Sequence, residues 1–482
     1  MLRKSFTTSR KIIFSSLSGL LMGLSYYYMV ASLAWFALVP LLVVIFSEKP
    51  SRVFKFGFLA GLVQSLIMYS WMVKVVAAYM GKAHPPLAFL LFLLSILYAA
   101  LYMALFSWMV SLLTKIFRKN IIILLFAGTL IWVGLELFKD KLFGNALPWF
   151  SYPFAISQAK VLPIAGLVSL GSVYFLSIIL VVVNFLLAFY FLKRKNVFFL
   201  LAIGIFLLNI LAGFMLTRSE KSLPGGKNLK VVLLSENIAA NVRWNDQTGD
   251  SLVNIFFRLN RETVQDHPDL IVWSETAVPW TYRKEDPFLK KVFSIQKEAW
   301  QLIGMLQNGP YDGSVYNTAG LFGPNGHLID RYQKNDLLAA LEKPLFPGLS
   351  GTKLSFLAQG LMDNVVPGIR REPLESPLGK LGVLICNESL LPEAAHHLKK
   401  KGSQLLVVMS NDGWFDGTQV ALHHFYFNRF RALENHLPVI VNSNMGTSGI
   451  IDARGNILVK KHSDRPFILQ AKVTLSPGLK RK

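Results

Sequence analysis

Leu381-Gly382-Val383-Leu384-Ile385-Cys386-Asn387-Glu388 carries an unbroken apolar run into the only cysteine of this 482-residue chain. A run of that length without polar alternation predicts a strand buried on both faces, the kind that fills a layered α/β sheet. Outward from it, Val231–Leu234, Leu270–Trp273, Leu405–Met409 and Val439–Val441 have the same character. Between them Ser251–Val264, Glu393–Lys400 and Ala421–Asn435 have helical spacing. Strands alternating with such helices indicate an α/β layered domain. Gly449–Asp452 and Ile457–Val459, joined across Arg454-Gly455-Asn456, read as a hairpin, and no repeat of solenoid period is present. The segment from Pro347 to Gly379, with Phe356, Leu357, Leu361 and Met362, is long enough to be a lid, a loop folded over the core, or an arm whose apolar residues dip into lipid.

Three polar residues stand where apolar strands end: Glu275 after Leu270–Trp273, Lys334 after Leu328–Tyr332, and Cys386 after Leu381–Ile385. Ligands and catalytic groups collect at the carboxyl ends of strands in α/β sheets. A carboxylate, an ammonium and a thiol suffice for acyl transfer. A free thiol has a pKa of about 8.5, so its attack needs a base or a positive charge nearby. Glu275 can take the proton, and Lys334 can stabilise the thiolate and then the tetrahedral oxyanion. The backbone N–H of Asn387 is a candidate second oxyanion donor if the chain turns into a helix there. Taken singly, the cysteine reads as a small core hydrophobe, the glutamate as a helix cap and the lysine as solvated. Only their arrangement favours chemistry.

The rest of the chain has a different character. Hydrophobic residues make up 53% and charged residues only 16% of it, against about 25% charged in a soluble domain. Long apolar stretches at 11–29, 31–47, 56–78, 87–114, 121–138, 161–192 and 197–216 predict about seven membrane spans. The formal charge of +22 is partly placed in alternate loops: Arg3, Lys4, Arg10 and Lys11; Lys49, Arg52 and Lys55; Lys115, Arg118 and Lys119; Lys193, Arg194 and Lys195. By the positive-inside rule the N-terminus is cytoplasmic, and an odd span count leaves the residues after 217 outside. That distribution weakens a nucleic-acid reading. A second apolar run from Trp35 to Phe46 argues for a retained anchor rather than a cleaved signal peptide. The domains expected are therefore a membrane domain at 1–217, a linker at 218–226, an external α/β domain at 227–475 and a basic tail at 476–482, with no final apolar span.

A single cysteine excludes an intrachain disulfide. His396-His397 and His423-His424 are two adjacent pairs, which is no recognised zinc spacing, so neutral hydrogen-bonding histidines and no metal are expected. Arg431 and Glu434, three apart on one helix, are expected to pair. Asn411-Asp412-Gly413-Trp414 is a candidate wall of the site. Glu136 is one of few ionisable residues in the apolar half, so a transport path is not evident.

Trp273-Ser274-Glu275-Thr276-Ala277-Val278-Pro279, Tyr332-Gln333-Lys334 and Ile385-Cys386-Asn387-Glu388 resemble the Glu, Lys and Cys motifs of the nitrilase superfamily. Behind a multi-span half they resemble the apolipoprotein N-acyltransferase family, with further matches at Asn237-Ile238, Trp244, Ser410–Phe415, His424, Arg431–Glu434 and Asn444–Gly449. In the membrane half, Gly144, Leu147-Pro148-Trp149 and Ser157-Gln158 also fit. The resemblance implies a polytopic α-helical membrane domain followed by a nitrilase-like αββα sandwich. It implies Glu275 as general base, Lys334 as oxyanion stabiliser and Cys386 as nucleophile. Glu342 matches a supporting glutamate, Glu388 an acidic position after the cysteine, and Trp244 an aromatic near the acyl entrance.

The implied reaction moves a fatty acyl group from a membrane phospholipid through a Cys386 thioester to the α-amine of a diacylglyceryl-cysteine apolipoprotein, with ping-pong kinetics. No metal or organic cofactor is implied, and a monomer in the inner membrane with an extracytoplasmic catalytic domain is expected. A tethered amidohydrolase acting on a small amide is the alternative enzyme. Departures from the family pattern are Asn387 in place of tyrosine, Ser274 in place of proline, Ser235-Glu236 in place of Gln-Gly, and Leu337–Leu341 in place of a Pro- and Gly-containing stretch.

Overall fold

The computed structural model describes residues 6–80, 85–117, 120–145, 147–218, 226–239, 242, 248–339, 341–344 and 364–478. Trp244, most of the expected linker, the end of the basic tail, and Phe356, Leu357, Leu361 and Met362 lie outside the described residues. The chain divides into two compact units, one of Met1–Gly144 with Trp149–Arg218 and one of Asn145–Pro148 with Ser219–Lys482.

Among the described residues of the first unit, five helices are long and apolar enough to cross a membrane: Pro50–Met68, Phe89–Ile116, Ile121–Phe143, Val173–Lys193 and Asn196–Arg218. They fall on five of the seven expected stretches. The first stretch forms a helix, Thr8–Tyr27, capped by the Thr7 side chain. The second is broken into Ala31–Ala34 and Val39–Ser47. Pro40 sits in the first turn of the latter, where its missing N–H costs nothing, so the helix restarts there. The polar backbone freed by the break is satisfied by a distant side chain. Asn184, fully buried, accepts from Leu38 N at 2.9 Å and donates to Ala34 O at 2.9 Å.

The stretch expected as a span from residue 161 becomes an α-helix of that length only at Val173. Before it, Leu162–Ala165 is a single α-turn, and Phe154–Lys160 and Gly166–Leu170 are 3-10 turns. Pro163 and Gly171 break the helical pattern. Irregular backbone inside an apolar unit needs internal partners. Gln158 donates to Ala31 O and accepts from Trp35 Nε1, Glu136 accepts from Phe154 N, and Lys139 donates to Tyr152 O. The one ionisable residue singled out in this half thus anchors backbone.

The second unit is built on twelve described strands: β1 Asn228–Ser235, β2 Leu270–Val272, β3 Val278–Thr281, β4 Trp300–Asn308, β5 Val315–Phe322, β6 Leu328–Gln333, β7 Leu381–Ile385, β8 Leu405–Asn411, β9 Val439–Asn444, β10 Ser448–Ile451, β11 Ile457–Lys461 and β12 Phe467–Thr474. One sheet runs β12-β1-β2-β4-β5-β6, with β3 beside β4, and the other runs β11-β10-β9-β8-β7. Alternate side chains of each strand face opposite ways. Leu270 and Val272 of β2 meet Val383 and Ile385 of β7 between the sheets. Ile271 and Trp273 face the other way, onto the helices Gly249–Glu262 and Pro287–Ile295 through Phe256 and Phe288. Leu384 of β7 packs likewise on the helices Pro392–Lys400 and Val420–Asn435. The result is the expected αββα sandwich.

Asn442, buried on β9, ties the sheets together by donating to Leu234 O and Val272 O at 2.8 and 2.9 Å. The strands, helices and hairpin anticipated from periodicity are all present. β3, β4 and β5 were not anticipated; in β4 and β5, Gln301, Gln307, Asn317 and Thr318 interrupt the apolar pattern. Each of these polar residues is buried, and Gln301, for instance, accepts from Trp273 Nε1 at 3.0 Å.

Candidate active site

β7 ends at a backbone turn that bears the cysteine, which is buried at the margin of the cluster between the sheets. Cys386 has φ of 53°, in the left-handed region that side-chain-bearing residues rarely occupy. The chain continues as a 3-10 turn, Cys386–Leu390. Two partners hold the turn by the cysteine carbonyl, Ser389 Oγ at 3.0 Å and His424 Nε2 at 2.9 Å. Asp412 lies 2.9 Å from the other ring nitrogen of His424. Burial disfavours the imidazolium, but Asp412 outweighs it and holds the ring above its ordinary pKa. His396 and His397 are exposed on their helix, and no group of three or more metal-ligating side chains occurs among the described residues.

Glu388 fixes the turn from below. Its fully buried carboxylate accepts from Ile385 N at 2.8 Å, Asn335 N at 2.8 Å, Asp336 N at 3.1 Å and Tyr332 Oη at 2.9 Å. It therefore joins the cysteine turn to the segment after β6. Asn387 adds a second tie, from its Nδ2 to Asp336 O at 3.0 Å. Neither Glu388 nor Asn387 lines the cavity described next. Removing one member of a buried charged network commonly costs about 3–5 kcal/mol. Glu388→Ala is accordingly expected to lower the unfolding temperature of the purified protein by several degrees and to disorder the nucleophile turn, as read by thermal scanning and Cys386 alkylation rates.

Glu275, Lys334, Glu342 and Cys386 all line one cavity of about 370 Å³. Lys334, at the end of β6 and 2% exposed, places Nζ 2.8 Å from Glu342 Oε1 and 3.3 Å from Glu275 Oε1. Burial opposes its charge, but Glu342, Glu275 and Cys386 together outweigh it and keep the ammonium above the ordinary lysine pKa. Glu342 is oriented by Leu338 N at 2.9 Å, so the stretch Leu337–Leu341 supplies a backbone donor, and Leu338 and Leu341 are part of the apolar wall.

Glu275 accepts from Asn317 Nδ2 at 2.8 Å and from Asn411 N at 2.9 Å. Its turn includes Thr276 at φ 49° and presses on Gly304, where any Cβ would come within 2.1 Å of Ser274 O. Glycine at 304 is a steric requirement of the glutamate turn. The Cys386 thiol is pushed up by burial and by Glu275, against the opposing pull of Lys334. It rests protonated and needs a base.

Asn411 and Trp414 stand in the cavity wall as expected, and Arg431 pairs with Glu434 at 2.6 Å. From the segment Pro347–Gly379, Asn364 and Val365 line the cavity, and Val365 bridges to Val315. Asn317 and Gly304 were missed because both sit in strands whose pattern is irregular.

Glu236 was noted only as a departure from the family pattern, yet it also lines the cavity and is 3% exposed. Ser274 Oγ donates to its Oε1. Burial raises its carboxyl to about 7, against the lowering effect of Ser274. The folded state thus binds a proton that an unfolded carboxyl, near 4.5, has lost. Stability contributed by the protonated acid is fully present below about 4.5 and is lost as pH rises through about 7. Glu236→Gln is expected to raise the unfolding temperature at pH 8 and to leave it unchanged at pH 4.5, measured by thermal scanning.

Residues 251–477 match the family model described as Carbon-nitrogen hydrolase, and residues 18–186 match Apolipoprotein N-acyltransferase N-terminal domain. Together the two models cover more than half of the chain, in the order of its two units. The chain belongs to the apolipoprotein N-acyltransferase family. An apolipoprotein N-acyltransferase of Geobacter metallireducens is 29% identical over 97% of this chain and 90% of its own length. Another, of Nitrosomonas europaea, is 29% identical over 78% of this chain and 74% of its own. A carbon-nitrogen hydrolase from Helicobacter pylori G27 is 18% identical, with a TM-score of 0.39 over 51% of this chain and 89% of that one.

Proposed function

We propose that the chain transfers a fatty acyl group from a membrane phospholipid to the N-terminal amine of a diacylglyceryl-cysteine lipoprotein, through a thioester on Cys386. The observation that carries this reading is one cavity lined by a thiol, a lysine and three carboxyls, in a chain whose described residues also include five helices able to cross a membrane. In the first half-reaction Glu275 takes the thiol proton and the sulfur attacks the ester carbonyl. The oxyanion forms beside the Lys334 ammonium. Collapse breaks the C–O bond, and Glu275 returns the proton to the departing lysophospholipid oxygen. In the second, the neutral amine attacks the thioester carbonyl, Glu275 accepts one N–H proton, the C–S bond breaks and the thiolate is reprotonated.

Glu342 serves this chemistry by balancing Lys334 and fixing its position. Both substrates are lipid-anchored, which gives a reason to hold the catalytic unit beside the bilayer. In this reading the N-terminus is cytoplasmic and the catalytic unit lies outside, an orientation the charge pattern of the loops supports. Incubation of the purified protein with phosphatidylglycerol vesicles, followed by intact mass measurement, is expected to give one acyl adduct on Cys386 that disappears when a diacylglyceryl-cysteine peptide is added. An adduct only from small amides, released to water, would instead establish an amidohydrolase.

A further inference from the structure

We propose that Glu236 forms, within the catalytic cavity, a binding site for a primary ammonium group of the substrate, with its unpartnered carboxyl oxygen as the acceptor. The inference rests on the acyl-transfer reading above.

Glu236 follows β1 directly, and Ser274, at the end of the neighbouring β2, donates to its Oε1. Its Oε2 is buried and has no hydrogen-bond partner among the described residues. Buried polar atoms are nearly always paired, so an orphan acceptor in a cavity wall points to a donor brought by a ligand. Among the described residues lining the cavity, no free cation is available to supply it. The other titratable groups lining it are Glu275, Lys334, Glu342 and Cys386. Lys334, the cation among them, is committed to the two glutamates at 3.3 and 2.8 Å. The adjoining wall at Ile238, Ala239 and Ala277 is apolar.

A buried carboxyl without a cation is satisfied best by a compact, donor-only, positively charged group, which describes an ammonium. Two sources of that group exist under the acyl-transfer reading: the α-amine of the acceptor and an amine on the donor headgroup. The acceptor must also lose a proton before it can attack. An α-ammonium titrates near about 7.7–8.0, and the Glu236 carboxyl is raised to about 7. A proton passes between such groups at little cost: the carboxylate takes one N–H proton, the nitrogen keeps the electron pair, and the carboxyl releases the proton to solvent after product leaves.

The test separates the two half-reactions in the full-length protein. Acylation of Cys386 is followed by intact mass with phosphatidylglycerol or phosphatidylethanolamine vesicles, and transfer is followed in single turnovers to a diacylglyceryl-cysteine peptide between pH 6 and 9. For Glu236→Gln, the transfer defect is expected to exceed any acylation defect by on the order of tenfold to a hundredfold, with loss of the ionisation near pH 7 from the transfer profile. Ser274→Ala, which leaves the carboxyl in place, should move that ionisation to higher pH. A defect confined to acylation by phosphatidylethanolamine and absent with phosphatidylglycerol would assign the ammonium to the donor headgroup. Equal rates and unchanged pH profiles in Glu236→Gln across all arms would overturn the proposal. Failure of the wild-type protein to form any Cys386 adduct would overturn the acyl-transfer reading itself.

Discussion

Cys386→Ala is expected to give no acyl adduct with phospholipid and no amide product with a diacylglyceryl-cysteine peptide, a loss on the order of a million-fold, because the nucleophile of the catalytic unit is removed. The effect is chemical and not structural. The turn that bears the cysteine is held by its backbone, through Ile385 N to Glu388 and the Cys386 carbonyl to His424 and Ser389. None of these bonds uses the sulfur. The variant should therefore fold normally, with an unfolding temperature within a few degrees of wild type. Cys386→Ser should be nearly as inactive, because a hydroxyl is a far weaker nucleophile than a thiolate at neutral pH. Product formation at a wild-type rate by the alanine variant would end the covalent mechanism.

Glu275→Gln is expected to slow acylation of Cys386 at pH 7 by about 10²- to 10⁴-fold, the range typical of a lost general base. The pH dependence is the more telling result. Glu275 pushes the thiol up, whereas Lys334 pulls it down. Neutralising the glutamate removes the first influence and keeps the second, so the thiol ionises more easily than in the wild type. Without a base, the acylation rate should follow the thiolate fraction and rise about tenfold per pH unit until the thiol is fully ionised. Rapid-quench mass measurement between pH 6 and 10 reads both the drop and the slope. A variant with the wild-type rate and a flat profile would remove Glu275 from the role of base. Lys334→Met would not isolate one role so cleanly, since it also leaves two buried carboxylates facing each other without a cation.

Much of the catalytic unit was legible because its signals are local. Buried strands such as Leu381–Ile385 announce themselves as short apolar runs, and a polar residue closing such a run marks a strand end wherever the strand is placed. Glu275, Lys334 and Cys386 were found that way, and Glu342 through the resemblance. Glu388 was found too, but its surroundings show a carboxylate buried under the turn, outside the cavity wall. In the membrane unit the apolar stretches were evident, whereas the breaks depended on Asn184, which lies 146 residues from the Leu38 amide it satisfies.

The sequence by itself determined that an apolar half precedes an α/β layered domain, and that a carboxylate, an ammonium and a thiol close three of its strands. Those properties follow from periodicity and residue type within a few positions. Only the tertiary structure decided that Asn317 and the Asn411 amide hold Glu275, that Gly304 makes room for its turn, that Asp412 biases His424, and that Glu236 stands in the cavity with an unpaired oxygen. Each of these depends on which strands lie side by side and which turn meets which strand. That pairing is set by burial of the whole sheet, so no short window of sequence contains it.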